Sequence, residues 1–317
     1  MSLPETSPDR AVPSAATSGR LPTSEATKGV IAALLAYGFW GFLPLLFRQL
    51  DSVGSVMIVA ERTLWSLVLL AIILMFVGGF ADVRVLLADR RRALWTLLSA
   101  VLLAGNWLLY VWAVETGQVL EASFGYFINP LINVLMGMVL LGERQNRLQT
   151  VSILIAVVAI AIQAVGLGAF PFISLGLALS FGFYGYFRKT AKLGPAVGLF
   201  AETLMLAPVA LIYVLYNLAT VGVGAHADPY LMTLLVLSGP ATAVPLLLFA
   251  YGVRRLRLTT IGMFQYIAPT IQFMVAIFLF GEHLNALRLI SFGLIWVSLL
   301  VFSYDSFRRR GQTPVLA

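Results

Sequence analysis

Cysteine is absent from the chain, which excludes disulfides, thiolate-bound zinc, iron–sulfur clusters and a thiol nucleophile. Histidine is nearly absent too: with only His226 and His283, a histidine-rich metal site lacks ligands, and no metal is expected. Charge is scarce. Asp, Glu, Lys and Arg make up 11% of the 317 residues, against roughly a quarter in an ordinary soluble domain. Hydrophobic residues fill 60%, which excludes a soluble enzyme and suffices for roughly nine or ten bilayer crossings. Also missing are a Walker A loop, an HExxH pair, a GxSxG elbow and the paired carboxylates of a hydrolase. ATP drive and embedded catalysis therefore lack support, and neither enzyme activity nor a cofactor is expected.

What is present is a succession of apolar runs. Residues 1–27 hold four prolines and many Ser, Thr and Ala; they read as a disordered cytoplasmic tail and show no signal-peptide pattern. Ten spans follow, at about 29–47, 56–78, 93–113, 120–141, 148–166, 172–187, 195–218, 230–251, 258–280 and 286–304. With the N-terminus inside, 18 of the 21 Lys and Arg residues fall in cytoplasmic segments; Arg48 and Arg288 lie outside and Arg62 lies within a span. That segregation predicts an all-α integral membrane protein with ten transmembrane helices and both termini cytoplasmic. It also explains the net charge of +7 without nucleic acid, so the lipid bilayer is the partner the charge implies.

The chain repeats itself. The segment from Phe127, FINPLINVLMGMVLLGERQNRLQTVS, aligns without a gap on the segment from Tyr266, YIAPTIQFMVAIFLFGEHLNALRLIS, with nine of 26 positions identical. Shared are Pro130/Pro269, Gly142/Gly281, Glu143/Glu282 and Asn146/Asn285. GFWG (38–41) pairs with GFYG (182–185), and the segment around Glu61 pairs with that around Glu202, in the same order. The unit is five helices, residues 28–166 and 167–305, with a basic tail over 306–317. An odd number of crossings makes the second unit enter from the opposite side, the inverted architecture of many secondary transporters.

These residues resemble a known family. The paired P-x(11)-G-E endings and the 5+5 repeat are similar to the drug/metabolite transporter superfamily with two EamA-type repeats. AERTLWS (60–66), NWLLYVWAV (106–114), LEASFGYFINPL (120–131), SFGFYGYFRK (180–189) and QYIAPTIQF (265–273) resemble the RarD-type permeases. The resemblance implies a permease of the bacterial inner membrane, an exporter by family habit, with a poorly defined substrate. Chloramphenicol sensitivity gives that family its usual description.

Polar residues inside the spans are the candidate site, because a charge in a bilayer costs about 2.5 to 3.5 kcal/mol on insertion scales. Glu61 and Glu202 form a matched acidic pair. They face a central cavity, binding a substrate amine or carrying a proton, or each is tied to a neighbour such as Arg62. Glu61 and Arg62 point about 100° apart on a helix, so Arg62 is placed to reach another helix. Tyr126, Asn129 and Asn133 share one face of span 4 with Ala122 and Gly137; Gln265 and Gln272 form the matching stripe in span 9. These amides either line a cavity or hydrogen-bond between helices, as does Asn106 in span 3. Pro130 and Pro269 are candidate hinges or static kinks. Trp40 and Tyr184, flanked by glycines, either stack on a substrate or pack; Trp107, Tyr110, Trp112 and Tyr186 add to the aromatic content. The Gly-Glu pairs at 142–143 and 281–282 read as structural helix ends, and both histidines as solvated loop residues.

The expected protein is a secondary active or facilitative transporter for a small amphiphilic metabolite or drug, monomer or homodimer. Proton coupling and passive facilitation both stay open. The competing reading is a non-transporting membrane receptor for a small molecule, weakened by cytoplasmic loops of at most about 14 residues.

Overall fold

The computed structural model describes residues 23–141, 146–191, 194–253, 255–256 and 264–308. Among them the chain is all-helical, with no strand. The helices are α1 (Thr23–Arg48), α2 (Ser55–Val77), α3 (Phe80–Ala88), α4 (Arg90–Glu115), α5 (Val119–Leu141), α6 (Arg147–Leu167), α7 (Phe172–Ala191), α8 (Pro195–Thr220), α9 (Pro229–Val253), α10 (Ile267–Met274) and α11 (Ala286–Arg308). A π-helical turn, Val275–Leu279, extends α10, and a 3₁₀ turn, Gly224–Ala227, precedes α9. Helices are the only open-chain solution in lipid, because each backbone N–H and C=O is satisfied within its own segment. Seven helices (α1, α2, α4, α6, α8, α9 and α11) are long and apolar enough to cross a membrane. Shorter apolar stretches at Val119–Ile132, Phe172–Tyr184 and Ile267–Leu279 occupy the expected fourth, sixth and ninth spans.

Three elements differ from the sequence reading. Helix α1 starts at Thr23, inside the segment expected to be a tail, where Glu25 binds Lys28 and Arg255. Helix α3 occupies what reads as a polar loop. Its Val83 and Leu86, three residues apart on one face, are buried, while Val85 faces outward. Pro269 falls in the first turn of α10, where a missing N–H breaks no intrahelical bond. Its repeat partner Pro130 lies mid-helix in α5, so the two prolines occupy different helix positions. The expectations for Gly142 and Glu143 lie outside the described residues, as do the side chains of Asn133 and Tyr186.

Contacts sort the helix ends into two groups. At one end, Arg48 donates to the carbonyls of Val114 and Glu115, Ser55 donates to the Glu115 carboxylate, and Tyr230 meets Gln49. At the other, Gly79 approaches Val197, Trp95 stacks on Phe187 at 5.2 Å, and Arg255 binds Glu25. Helix α1 packs on α9 and α10, α2 on α8 and α9, α7 on α4 and α5, and α6 on α11. Where backbones come close the residue is glycine: a Cβ on Gly125 of α5 would sit 2.6 Å from the Ser174 carbonyl of α7. One on Gly239 of α9 would sit 2.5 Å from the Trp65 backbone of α2.

The α6–α11 pair carries the clearest internal relation. Asn146 caps α6 through a capping box with Gln149 and donates to Asp305 Oδ2 at 2.5 Å, near the end of α11. Asn285 caps α11, accepting from the Arg288 N–H, and donates to the Gly166 carbonyl at 2.9 Å, near the end of α6. The shift that aligns the repeat carries Asn146 onto Asn285 and Gly166 onto Asp305.

Candidate functional site

Glu61 is 5% exposed on α2. Its Oε2 accepts from the Trp65 indole N–H at 2.9 Å, one turn along the helix. Its Oε1 lies 2.6 Å from His226 Nε2 in the 3₁₀ turn between α8 and α9. His226 is therefore not the solvated loop residue that its polar, loop-like neighbourhood suggests. The turn folds it inward because a buried carboxylate needs donors.

Arg62 points elsewhere, as its rotation from Glu61 requires. Its Nε donates to Thr242 Oγ1 on α9 at 2.5 Å. Its guanidinium lies 4.3 Å from the Trp107 ring centroid and 5.2 Å from that of Phe47, two cation–π contacts that are strongest where water is excluded. The Phe47 ring lies 6.1 Å from Tyr110, which sits 5.7 Å from Tyr126.

Glu202 on α8 is 1% exposed, accepts from Ser99 Oγ at 2.7 Å and lies 3.4 Å from the Tyr184 hydroxyl. The two carboxylates thus sit on two packed helices, each bound to polar partners. Ser99 and His226 carried no motif, and only Trp65, at the i+4 position from Glu61, was legible as a partner.

The amides divide between roles. Asn106 donates to the Leu177 carbonyl at 3.0 Å and to Ser180 Oγ at 2.9 Å, tying α4 to α7. Gln272 donates to the Trp40 carbonyl at 3.1 Å, tying α10 to α1. Asn129 is buried with its Oδ1 unpartnered. Gln265 is half-buried in the turn before α10. Trp40 packs among Tyr37 and Phe249, with centroids 5.4 and 5.8 Å away. Its neighbour Gly41 would place a Cβ 2.6 Å from Ile271, whereas one on Gly38 would meet open space, so only one flanking glycine permits a close approach.

Glu282, outside the spans, is a helix-capping group. Its two oxygens accept from the Val119 and Leu120 N–H groups at 2.6 and 2.9 Å, closing the start of α5 from the other half of the chain. Burial pushes its carboxyl above the usual range, and the two N–H donors oppose that rise. A separate groove of about 750 Å³, lined by Leu108, Trp112, Phe172 and Tyr213, opens at the Ser55–Glu115 end and includes none of the candidate residues. No cluster of three potential metal-ligating side chains occurs among the described residues.

A bundle of long apolar helices that hides carboxylates and a guanidinium in its interior defines a multi-pass membrane protein with a polar interior. The EamA-like transporter family matches over residues 27–164. An uncharacterized transporter of Pseudomonas aeruginosa, PA0485, is 40% identical over 93% of this chain and 99% of its own length. Protein RarD of Salmonella typhi is 41% identical over 90% and 98%. A solved crystal structure shares the fold at a TM-score of 0.59 and 16% identity, over 87% of this chain and 97% of that one. The chain belongs to the EamA-like transporter family, among its RarD-type permeases.

Proposed function

We propose that the protein crosses the bacterial inner membrane ten times as two inverted five-helix halves, with both termini cytoplasmic. It moves a small amphiphilic molecule by alternating access, outward as is usual in such permeases. The carrying observation is the matched pair Glu61 and Glu202. They occupy equivalent repeat positions on α2 and α8, near opposite ends of two packed helices, and each is buried against polar partners. Two carboxylates so placed provide a buried acidic group for each half of a transport cycle.

The packing supports the inverted reading. Exchanging α1 with α7, α2 with α8, α4 with α9, α5 with α10 and α6 with α11 maps the contact α1·α9 onto α7·α4 and α1·α10 onto α7·α5. It also maps the Asn146–Asp305 contact onto Asn285–Gly166. The ends sorted by contacts agree with the charge pattern. Arg84, Arg90, Arg91, Arg92, Arg147 and Arg255 lie at the end assigned to the cytoplasm, and Arg48 and Arg288 at the other.

The test is flux in proteoliposomes, using compounds selected by a thermal-shift screen of metabolites and drugs. Glu61→Gln and Glu202→Gln are expected to impair flux at near-normal expression. Unimpaired flux in both would remove the carboxylates from the mechanism, and binding without flux would favour a receptor.

A further inference from the structure

Arg62 is a buried cation without a counterion among the described residues. It is 4% exposed, and among the described residues no carboxylate lies within ion-pair distance of it. One of its five N–H donors is used by Thr242, while Nη1 is buried and unpartnered. A polar group left so is costly unless another state of the protein supplies its partner. The aromatic contacts show where that partner fits. Trp107 and Phe47 take the guanidinium's surroundings on the apolar side, and a planar guanidinium with its faces occupied by rings offers its edge. An edge presenting free N–H groups is the element that recognises carboxylates.

Other unsatisfied groups accompany it. The Tyr110 hydroxyl is buried without a partner, although its ring packs tightly between Phe47 and Tyr126. Asn129 Oδ1, one turn beyond Tyr126 on α5, is also unpartnered. Tyr110 and Tyr126 both lie near enough to Arg62 to interact with its charge. Unpaired donors therefore sit beside an aromatic wall; buried unpartnered atoms also occur elsewhere, at Gln163 Nε2, Gln272 Oε1 and Arg288 Nε, but only here do they lie around a buried guanidinium packed on aromatic rings.

We propose that Arg62, with the Tyr110 hydroxyl as a second donor, anchors the carboxylate of the transported molecule, an amphiphilic monocarboxylate whose apolar body lies against Phe47, Trp107 and Tyr126. One fixed positive charge matches one negative charge; a phosphate monoester would bring a second charge with no cation to meet it. This substrate class rests on the transport reading above.

The experiment uses purified full-length protein and five probes: 3-phenylpropionate, benzoate, octanoate, L-phenylalanine and L-leucine, each paired with its primary amide. Melting temperature and calorimetric affinity are the readouts. At least one carboxylate is expected to stabilise the protein where its amide does not. Arg62→Gln should weaken that carboxylate by about tenfold or more, and Arg62→Lys, which keeps the charge and loses the fork, by less. Because the Tyr110 hydroxyl has no partner among the described residues, Tyr110→Phe should leave the ligand-free melting temperature unchanged or raise it, and weaken the carboxylate by about fivefold. That variant keeps the test decisive if Arg62→Gln does not fold. Carboxylates no better than their amides, or wild-type affinity in Tyr110→Phe, would overturn the proposal. Flux confined to compounds that carry no carboxylate would overturn it while leaving the transport reading intact. Carboxylate binding without flux would do the reverse.

Discussion

Glu61 and Arg62 are adjacent in sequence and serve different neighbours in the fold. The helix turns them apart, sending the carboxylate to His226 and the guanidinium to Thr242, Phe47 and Trp107. An ion pair between them, which adjacency invites, would break the contacts of α2 with the 3₁₀ turn at His226 and with Thr242 of α9. The Glu61–His226 contact is the testable one. His226→Ala removes a donor from a buried carboxylate, a loss of about 1–3 kcal/mol, and should lower the melting temperature in detergent by several degrees. His283→Ala, at an exposed position, serves as the control. Equal melting temperatures would show that the contact does not hold the turn in place. Much of this site was legible residue by residue: charge or amide inside an apolar run is visible in one sequence, and so is the angle between neighbours on a helix. What the charge bonds to is not visible, because Thr242 and His226 come from segments far away in the chain and carry no pattern of their own.

At the scale of the element, helix ends are fixed by groups borrowed from distant parts of the chain. Glu282 caps α5, Glu115 caps α2 and Arg48 satisfies the last carbonyls of α4. The Gly-Glu ending at 281–282 was legible as a helix stop, since glycine with positive φ and a following acid form a common terminus. Its use as the cap of another helix was not, because a cap across a sequence separation of 162 leaves no local trace. Burial raises the Glu282 carboxyl above its ordinary value of 4.5, so the folded protein holds that proton more tightly than the unfolded chain does. Stability must then fall as pH rises from about 4.5 through the folded-state value. Glu282→Gln should flatten that part of the melting temperature–pH profile, and parallel profiles for the two proteins would contradict it. Helix α3 escaped the sequence reading for the opposite reason: nine residues with two buried positions give too short a period to separate from a polar loop.

For the whole molecule, the sidedness of the helix ends emerged twice from independent information. Counting basic residues divides the loops into two classes, and the side-chain contacts divide them the same way, with Arg48, Ser55, Glu115 and Asn285 at one end and Glu25, Trp95, Asn146 and Asp305 at the other. The all-helical, multi-pass character of the chain was therefore legible in the sequence, because it depends on apolar run length and charge placement rather than on detailed packing. The cysteine-free chain allows a direct test. A single cysteine at His283 is expected to react with an impermeant maleimide from outside intact cells, and one at Arg90 only after permeabilisation. Both positions are exposed, whereas His226 is a poor reporter because its ring is turned onto Glu61. The reverse pattern would invert the orientation.

The α6–α11 clasp has one more implication. Each half of the chain brings one asparagine and one acceptor, and the two contacts interchange when the halves are exchanged. On the two-half arrangement proposed above, this pairing is analogous to an isologous dimer contact, in which one patch is used twice. Here it is contained within a single polypeptide. Covalent linkage fixes the stoichiometry and replaces a chance encounter in the membrane with a high effective concentration. It also frees the two copies to diverge, which is why Arg62, without a basic counterpart near Glu202 in the aligned segment, can belong to one half alone.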